Sequence, residues 1–404
     1  MGNIITLQVD DYNYFLPPER IAQYPLPQRD ESKLLVYRIA QNMVEHRIFK
    51  ELPEIIDDNY VIVRNNTKVF PARFFLQKST GGKVEVLIES PADIKLPEQA
   101  LNSKPPQTWL CIMRGKNLNP GVLLNAKFTS NVEITANILE ILESKRLCKL
   151  NWQPSHLTLA ELLQEIGKIP LPEYIKREPQ NIDKFSYQTL FAHNEGSIAA
   201  PTAGLHFTEQ VDKNLKNKGI EILELTLHVG SGTFVPLKTS EVTKHKMHSE
   251  QFFVDINFLK KLYNLLNLGK KILAIGTTTV RTLESLYWLG SLSNIDLQDP
   301  KIEQWIWQNW QNKLSPIKTL EKIIETMEKQ NKSELIGQTQ LMIIPGYPFK
   351  FIQGMITNFH LPKSTLLLLV ASFVGREKML ELYSIALNTD YRFLSYGDAS
   401  LLLK

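Results

Sequence analysis

The sequence predicts an α/β chain interrupted by an all-β stretch, and three observations carry that prediction. KKILAIGTTTVRTLESLYWL, residues 270–289, reads as a strand, a Gly-Thr turn and a helix in succession. Residues 68–155 instead hold short alternating apolar runs separated by turn residues, with few helix signals. At 404 residues the chain is too long for one ordinary core, so two or three domains are expected.

Taken in order, residues 1–67 begin extended and proline-punctuated (Leu16-Pro17-Pro18, Tyr24-Pro25-Leu26-Pro27) and end in a strand-like VIVRNNT. From residue 68, Gly81-Gly82 forms a turn before a strand with Val84, Val86 and Ile88 on one face. TWLCIMRG, GVLLNAKF and VEITANILEIL follow as further strands, with Asn119-Pro120-Gly121 as a turn. This texture predicts a small antiparallel barrel or a sandwich. Thr158-x-x-Glu161 is a capping box opening a helix whose stripe is Leu159, Leu162, Leu163 and Ile166, ended by Gly167. A second helix starts at an N-cap Thr208 and stops at Gly219, and EILELTLHV then alternates as a strand. Residues 291–336 read as a helical insertion carrying one evident helix, capped by Ser315 with Pro316 at its first position. Gly337 is its expected stop, and LMIIPG the next strand. The run Leu366–Val370, continued by Ala371 and Phe373, is far too short for a membrane span and reads as a buried helix.

Composition narrows the function classes. Apolar residues at 43% and charged residues at 22% are those of a globular protein, and a net charge of +4 permits a polyanionic partner without requiring one. Cys111 and Cys148 alone build neither a disulfide framework nor a four-cysteine zinc site. The N-terminus lacks a basic start followed by an apolar stretch, so a cytoplasmic protein is expected.

The Gly276-Thr277-Thr278-Thr279 turn places free N–H groups at a helix start, with Arg281 one turn further on; the same residues also read as a capped helix binding nothing. His206, His228, His245, His248 and His360 all lie beside Gly- or Pro-containing stretches, in LHFTE, LHVGSGTF, HKMHSE and ITNFHLPKST. His245 and His248 stand three apart, but HEXXH is absent and no metal site is expected. Neither GxGxxG nor a P-loop occurs. Basic and aromatic residues interleave in RIAQYPLPQRDESK and PEYIKRE, a mix that suits a phosphate backbone with stacked bases and equally an ordinary surface. IAAPTAGLHFTE, residues 198–209, sets a run of small residues ahead of His206; that run suits backbone approach to a ligand or close packing of elements.

Together, RIAQYPLPQRDESKLLV, VRNNTKVFPARFF, GGKVEVL, IPLPEYIKRE, IAAPTAGLHFTE, LTLHVGSGTF, HKMHSE, AIGTTTVRTLES, PGYPFK, MITNFHLPKSTLL and RFLSYGDASLL resemble, in order and over nearly the whole chain, the S-adenosylmethionine:tRNA ribosyltransferase-isomerases of queuosine biosynthesis. Pro348 departs from the acidic residue often found in PGYPF. The resemblance implies an α/β domain (1–67 and 156–404, with 291–336 as its insertion) and an inserted antiparallel β-barrel at 68–155. It implies transfer of the ribosyl part of S-adenosylmethionine to 7-aminomethyl-7-deazaguanine at the tRNA wobble position, giving epoxyqueuosine with loss of adenine and methionine. No cofactor is needed, since the sulfonium supplies the activation, and a monomer without membrane attachment is expected. General acid–base demands point to His206, His228 and His248, with Glu250 and Asp398 as carboxylate partners. Thr202, Gly204, Thr277, Arg281, Asn358, His360 and Lys363 are the expected substrate contacts, and Arg20, Tyr24, Lys176 and Arg177 the expected tRNA contacts. The rival readings are a catalytically silent tRNA-binding protein on the same scaffold and a metal-dependent hydrolase.

Overall fold

Strands that bury both faces form the middle of a parallel sheet, and Tyr60–Asn65, Lys271–Ile275 and Ala399–Leu403 are buried almost throughout. In the computed structural model, which describes residues 7–129, 131–233, 236–308 and 314–404, they lie in one ten-stranded mixed sheet. Its order is Lys301–Ile302, Glu334–Thr339, Glu250–Asp255, Glu221–Leu227, Tyr60–Asn65, Lys271–Ile275, Ile352–Asn358, Ala399–Leu403, Lys33–Arg38, Met43–Ile48. Tyr60–Asn65 runs parallel to both Glu221–Leu227 and Lys271–Ile275, and the latter is parallel to Ile352–Asn358. Glu250–Asp255 runs antiparallel to Glu221–Leu227, so its first residue lies beside the carboxyl end of its neighbour.

The second unit is a closed barrel of six antiparallel strands, in order Lys145–Gln153, Gln107–Arg114, Lys83–Pro91, Arg73–Lys78, Leu123–Lys127 and Glu133–Leu142. The expected alternation holds: Val84, Val86 and Ile88 are buried in its core with Trp109, Cys111, Ile134, Cys148 and Trp152. The barrel is thus the outcome of the two the sequence left open. The helix Leu159–Ile166 carries the expected capping box at Thr158, and its stripe joins the barrel's core, extending that packing unit to Ile166. The barrel is tied to the sheet by a short parallel pair, Thr67–Val69 with Asn194–Ser197.

The 291–336 stretch is not an excursion from the sheet. Lys301–Ile302 and Glu334–Thr339 pair as the sheet's outer strands, and the helix Pro316–Lys329 packs on the helices Ile256–Asn267 and Thr277–Ser291. Ser315 caps that helix as expected, but Gly337 sits inside a strand rather than at a helix stop. Leu341–Ile344 is buried without a ladder, against the strand expected for LMIIPG. The carbonyl of Leu341 accepts from Arg281 Nε (3.2 Å) instead. Thr277–Ser291 is buried at every residue, and Thr365–Val374 is the buried helix expected from the 366–373 run. Among the described residues no helix is long and apolar enough to cross a membrane.

The docking of Pro316–Lys329 rests on Gly290, where an added Cβ would lie 2.4 Å from the Thr319 carbonyl oxygen. Gly290→Ala is therefore expected to destabilise the protein by about 1–3 kcal/mol through overpacking. Urea denaturation checks this: the midpoint falls with an unchanged slope, and an unshifted midpoint would show that the two helices part freely.

Candidate active site

Loops beyond the carboxyl ends of parallel strands are where open α/β sheets bind ligands, and a cavity lies there, with barrel residues on its other side. It holds about 180 Å³. The sheet side supplies His228, the Gly230–Thr233 turn, His245, Met247, His248, Glu250 and Arg281, and the barrel supplies Glu89, Ser90, Pro97 and Lys145.

His228 follows the last residue of the strand Glu221–Leu227, and its backbone N–H donates to Gln251 (2.9 Å). Its Nδ1 shares a hydrogen bond with Thr67 Oγ1 (2.8 Å), and its Nε2 lies over Gly196, where a Cβ would come within 2.6 Å of it. Gly196 has φ +148° and falls at a bulge between Glu195 and Ser197, so glycine alone gives the imidazole this bed. Phe253 packs edge-on at 5.0 Å. Desolvation by these neighbours pushes the His228 pKa down to about 4. His248 is exposed and rests on Gly232 in the same manner, a Cβ there lying 2.4 Å from its Cδ2. His245 is lowered from the ordinary histidine value by burial and by His248.

Glu250 and Arg281 form a buried ion pair. Glu250 Oε1 also accepts from the Gly230 N–H (3.2 Å) and Thr233 Oγ1 (2.7 Å), while Arg281 donates to the Leu341 carbonyl. Strand, helix and turn are thereby fastened at one point, and both charges are fully engaged by protein groups.

A second cluster adjoins the first. A small cavity of about 10 Å³, room for one water molecule, is lined by Thr202, Asn358, His360, Ser364, Tyr174 and Ser395, and Thr233 and Leu366 line both cavities. Thr202 Oγ1 donates to Asn358 Oδ1 (2.7 Å), Asn358 Nδ2 reaches His206 Nε2 (3.4 Å), and His206 Nδ1 meets Ser32 Oγ (2.7 Å). His360 Nε2 pairs with Thr357 Oγ1 (2.7 Å). Burial lowers both imidazoles to about 3, with the Arg392 charge adding to the effect at His206, so both are neutral at pH 7.

Of the residues singled out from sequence, the main cavity gathers His228, His248, Glu250 and Arg281, and the adjoining cluster gathers Thr202, His206, Asn358 and His360. The others lie elsewhere. Asp398 accepts from the backbone N–H groups of Lys33 (3.0 Å) and Arg392 (2.8 Å), and burial raises its pKa. The space a side chain at Gly204 would need is filled by Phe191 and Thr189, which gives part of the small-residue run a packing role. Thr277 is the buried first residue of its helix, and Lys363 pairs with Asp10 (2.6 Å). Arg20 pairs with Asp390 (2.6 Å), Arg177 binds Asp183 through two hydrogen bonds and covers the ring of the exposed Tyr24 (4.3 Å), and Lys176 is exposed. Among the described residues no three His, Cys, Asp or Glu side chains converge as a metal-binding group. Sequence reasoning missed Glu89, Lys145, Thr67 and Gly196. Glu89 is the unpaired residue of a bulge between Ile88 and Ser90, a feature with no local sequence signature.

Comparison with known proteins gives a consistent picture. Residues 9–402 match the family model described as queuosine biosynthesis protein. The S-adenosylmethionine:tRNA ribosyltransferase-isomerase of Desulfitobacterium hafniense is 36% identical over 400 residues, spanning 98% of this chain and all of the relative. That of Thermotoga maritima is 37% identical over 399 residues, with the same coverage. A crystal structure of S-adenosylmethionine tRNA ribosyltransferase from Thermotoga maritima aligns over 97% of this chain and all of its own, at 28% identity and a TM-score of 0.49.

The bed of His228 makes a direct prediction. Followed by NMR, its imidazole is expected to stay neutral until the pH falls to about 4. A midpoint near the ordinary value of about 6.5 would show that water solvates the ring freely.

Proposed function

This chain belongs to the queuosine biosynthesis protein family, and from that premise we propose that it is an S-adenosylmethionine:tRNA ribosyltransferase-isomerase. It moves the ribosyl part of S-adenosylmethionine onto 7-aminomethyl-7-deazaguanine at the tRNA wobble position and rearranges it, giving epoxyqueuosine-tRNA, adenine and methionine. The observation that carries the reading is the convergence of LTLHVGSGTF, HKMHSE and AIGTTTVRTLES on one cavity between sheet and barrel.

The chemistry assigns roles by position. A proton must leave the carbon beside the sulfonium, which that positive charge has already acidified. His228 is the general base. Neutral above about pH 4, it receives a cationic cosubstrate without charge repulsion and offers a lone pair at Nε2 when Nδ1–H donates to Thr67. His248, exposed over Gly232, supplies hydrogen bonds or a proton to departing adenine. Glu250 and Arg281, saturated by one another and by backbone, act as positioning residues that hold the Gly230–Thr233 turn. Thr202, Asn358, His206 and His360 offer neutral donors and acceptors to the sugar hydroxyls. Arg20, Tyr24, Lys176 and Arg177 contact the tRNA backbone and loop bases, a binding that weakens steeply with salt. The sulfonium activates its own sugar, so the reaction takes no further cofactor, and the chain works as a cytoplasmic monomer.

Incubating the protein with S-adenosylmethionine and tRNA carrying the aminomethyl base tests the reading. Adenine is expected to appear in step with epoxyqueuosine, followed by chromatography and nucleoside mass. Bound tRNA with no adenine would make this a catalytically silent tRNA-binding protein. His228→Asn is expected to lower turnover about 10²–10⁴-fold while S-adenosylmethionine still binds. In the parent enzyme, protonation of His228 is expected to remove activity only as the pH falls through about 4.

A further inference from the structure

The barrel reaches the cavity through a charge pair, Glu89 with Lys145. Glu89 is the extra residue of the bulge between Ile88 and Ser90 and lines the cavity. Lys145, at the start of the neighbouring strand Lys145–Gln153, pairs with it. Ser231 donates to Glu89 Oε1, and Ser231 precedes the glycine beneath His248. The other oxygen, Oε2, is buried and has no partner besides the Lys145 ammonium, with which it forms an ion pair.

Two carboxylates line the cavity, and they differ in what they have left to offer. Glu250 is filled by Arg281, the Gly230 N–H and Thr233. Glu89 has one oxygen committed to Ser231 and one held only by a primary ammonium on a flexible four-carbon stem. That stem leaves the lysine side chain 23% exposed, against 11% for the glutamate. The acceptor base in the proposed reaction carries the same chemical group, a primary amine on one methylene. We propose that Glu89 is the specificity residue for the acceptor, receiving the aminomethyl ammonium of the tRNA base at Oε2, and that Lys145 occupies this position until the base displaces it. The proposal rests on the functional reading above. It places the acceptor amine one residue from the bed of His248, and so assigns the barrel to acceptor selection and the sheet to the sulfonium chemistry.

Two tRNAs alike except at the wobble position provide the test, one carrying 7-aminomethyl-7-deazaguanine and the other the neutral 7-cyano analogue. Both make the same phosphate contacts, so the ratio of their affinities reports on the amine alone. In the parent protein the amine is expected to be preferred about tenfold or more, the scale of one charge-assisted hydrogen bond. Glu89→Gln is expected to bring the ratio close to one, while S-adenosylmethionine affinity changes less than twofold. Lys145→Met, which removes the competitor, is expected to raise the ratio, and this opposite sign is what a purely structural strut cannot give. A parent ratio near one, or equal losses for both tRNAs in both variants, overturns the proposal. If Glu89→Gln does not fold, the Lys145→Met ratio decides alone: a rise supports the assignment, and an unchanged or lowered ratio overturns it. Failure of the functional reading is seen separately, as no adenine released by the parent protein.

Discussion

The buried ion pair between Glu250 and Arg281 is the constraint on which the site depends. Glu250 opens a strand, Arg281 lies one turn into a helix, and the carboxylate also holds the Gly230 N–H and the Thr233 hydroxyl. The guanidinium reaches across to the Leu341 carbonyl, which explains why that segment is buried without a strand partner. Removing one member of such a pair leaves an uncompensated buried charge and costs about 3–5 kcal/mol. Its value here is geometric, since it fixes the turn that carries Gly232, and Gly232 in turn sets the ring of His248.

Around this charged point the imidazoles are kept neutral. Burial lowers His228 to about 4 and His206 and His360 to about 3. A cavity lined with protonated histidines would repel a sulfonium, whereas neutral rings supply lone pairs and N–H groups without net charge. The same burial has a consequence for stability: unfolded histidines bind protons below about 6.5 and the folded ones do not, so their contribution declines as the pH falls from there toward 3.

Much of this was legible because local grammar and burial agree. Val84, Val86 and Ile88 alternate because a barrel wall has one dry face, and Thr158 with Glu161 forms a capping box whatever lies around it. The strand-to-helix step at Gly276 fell where the pattern required, but Gly276 alone makes the turn, since Thr277–Thr279 already belong to the helix. What escaped was set by tertiary contact. Residues 291–336 look polar because their strands are the sheet's edge, and their helix is held by a glycine on another helix. The run at 198–209 has one pattern for two uses, and only the tertiary fold sets Gly204 against Phe191 and Thr189. For the site itself, sequence picked out the sheet-side histidines but not the Gly196 beneath His228 or the barrel's Glu89 and Lys145. A bulge leaves no periodic trace.

The way the barrel is attached explains why its orientation matters to the sheet's chemistry. The chain enters the barrel along Thr67–Val69 and returns along Asn194–Ser197, and these two strands pair with one another. Thr67 is the hydrogen-bond partner of His228 Nδ1, and Gly196 is the bulged residue beneath His228 Nε2. Both tethers of the barrel are therefore walls of the same imidazole. A rotation of the barrel that moved Glu89 and Lys145 relative to the cavity would also displace the hydroxyl that shares a hydrogen bond with His228 Nδ1. The acceptor recognition proposed for the barrel and the proton abstraction proposed for the sheet are joined through two strands of three and four residues. An inserted domain held by longer, unpaired linkers would place the same side chains near the cavity without that coupling.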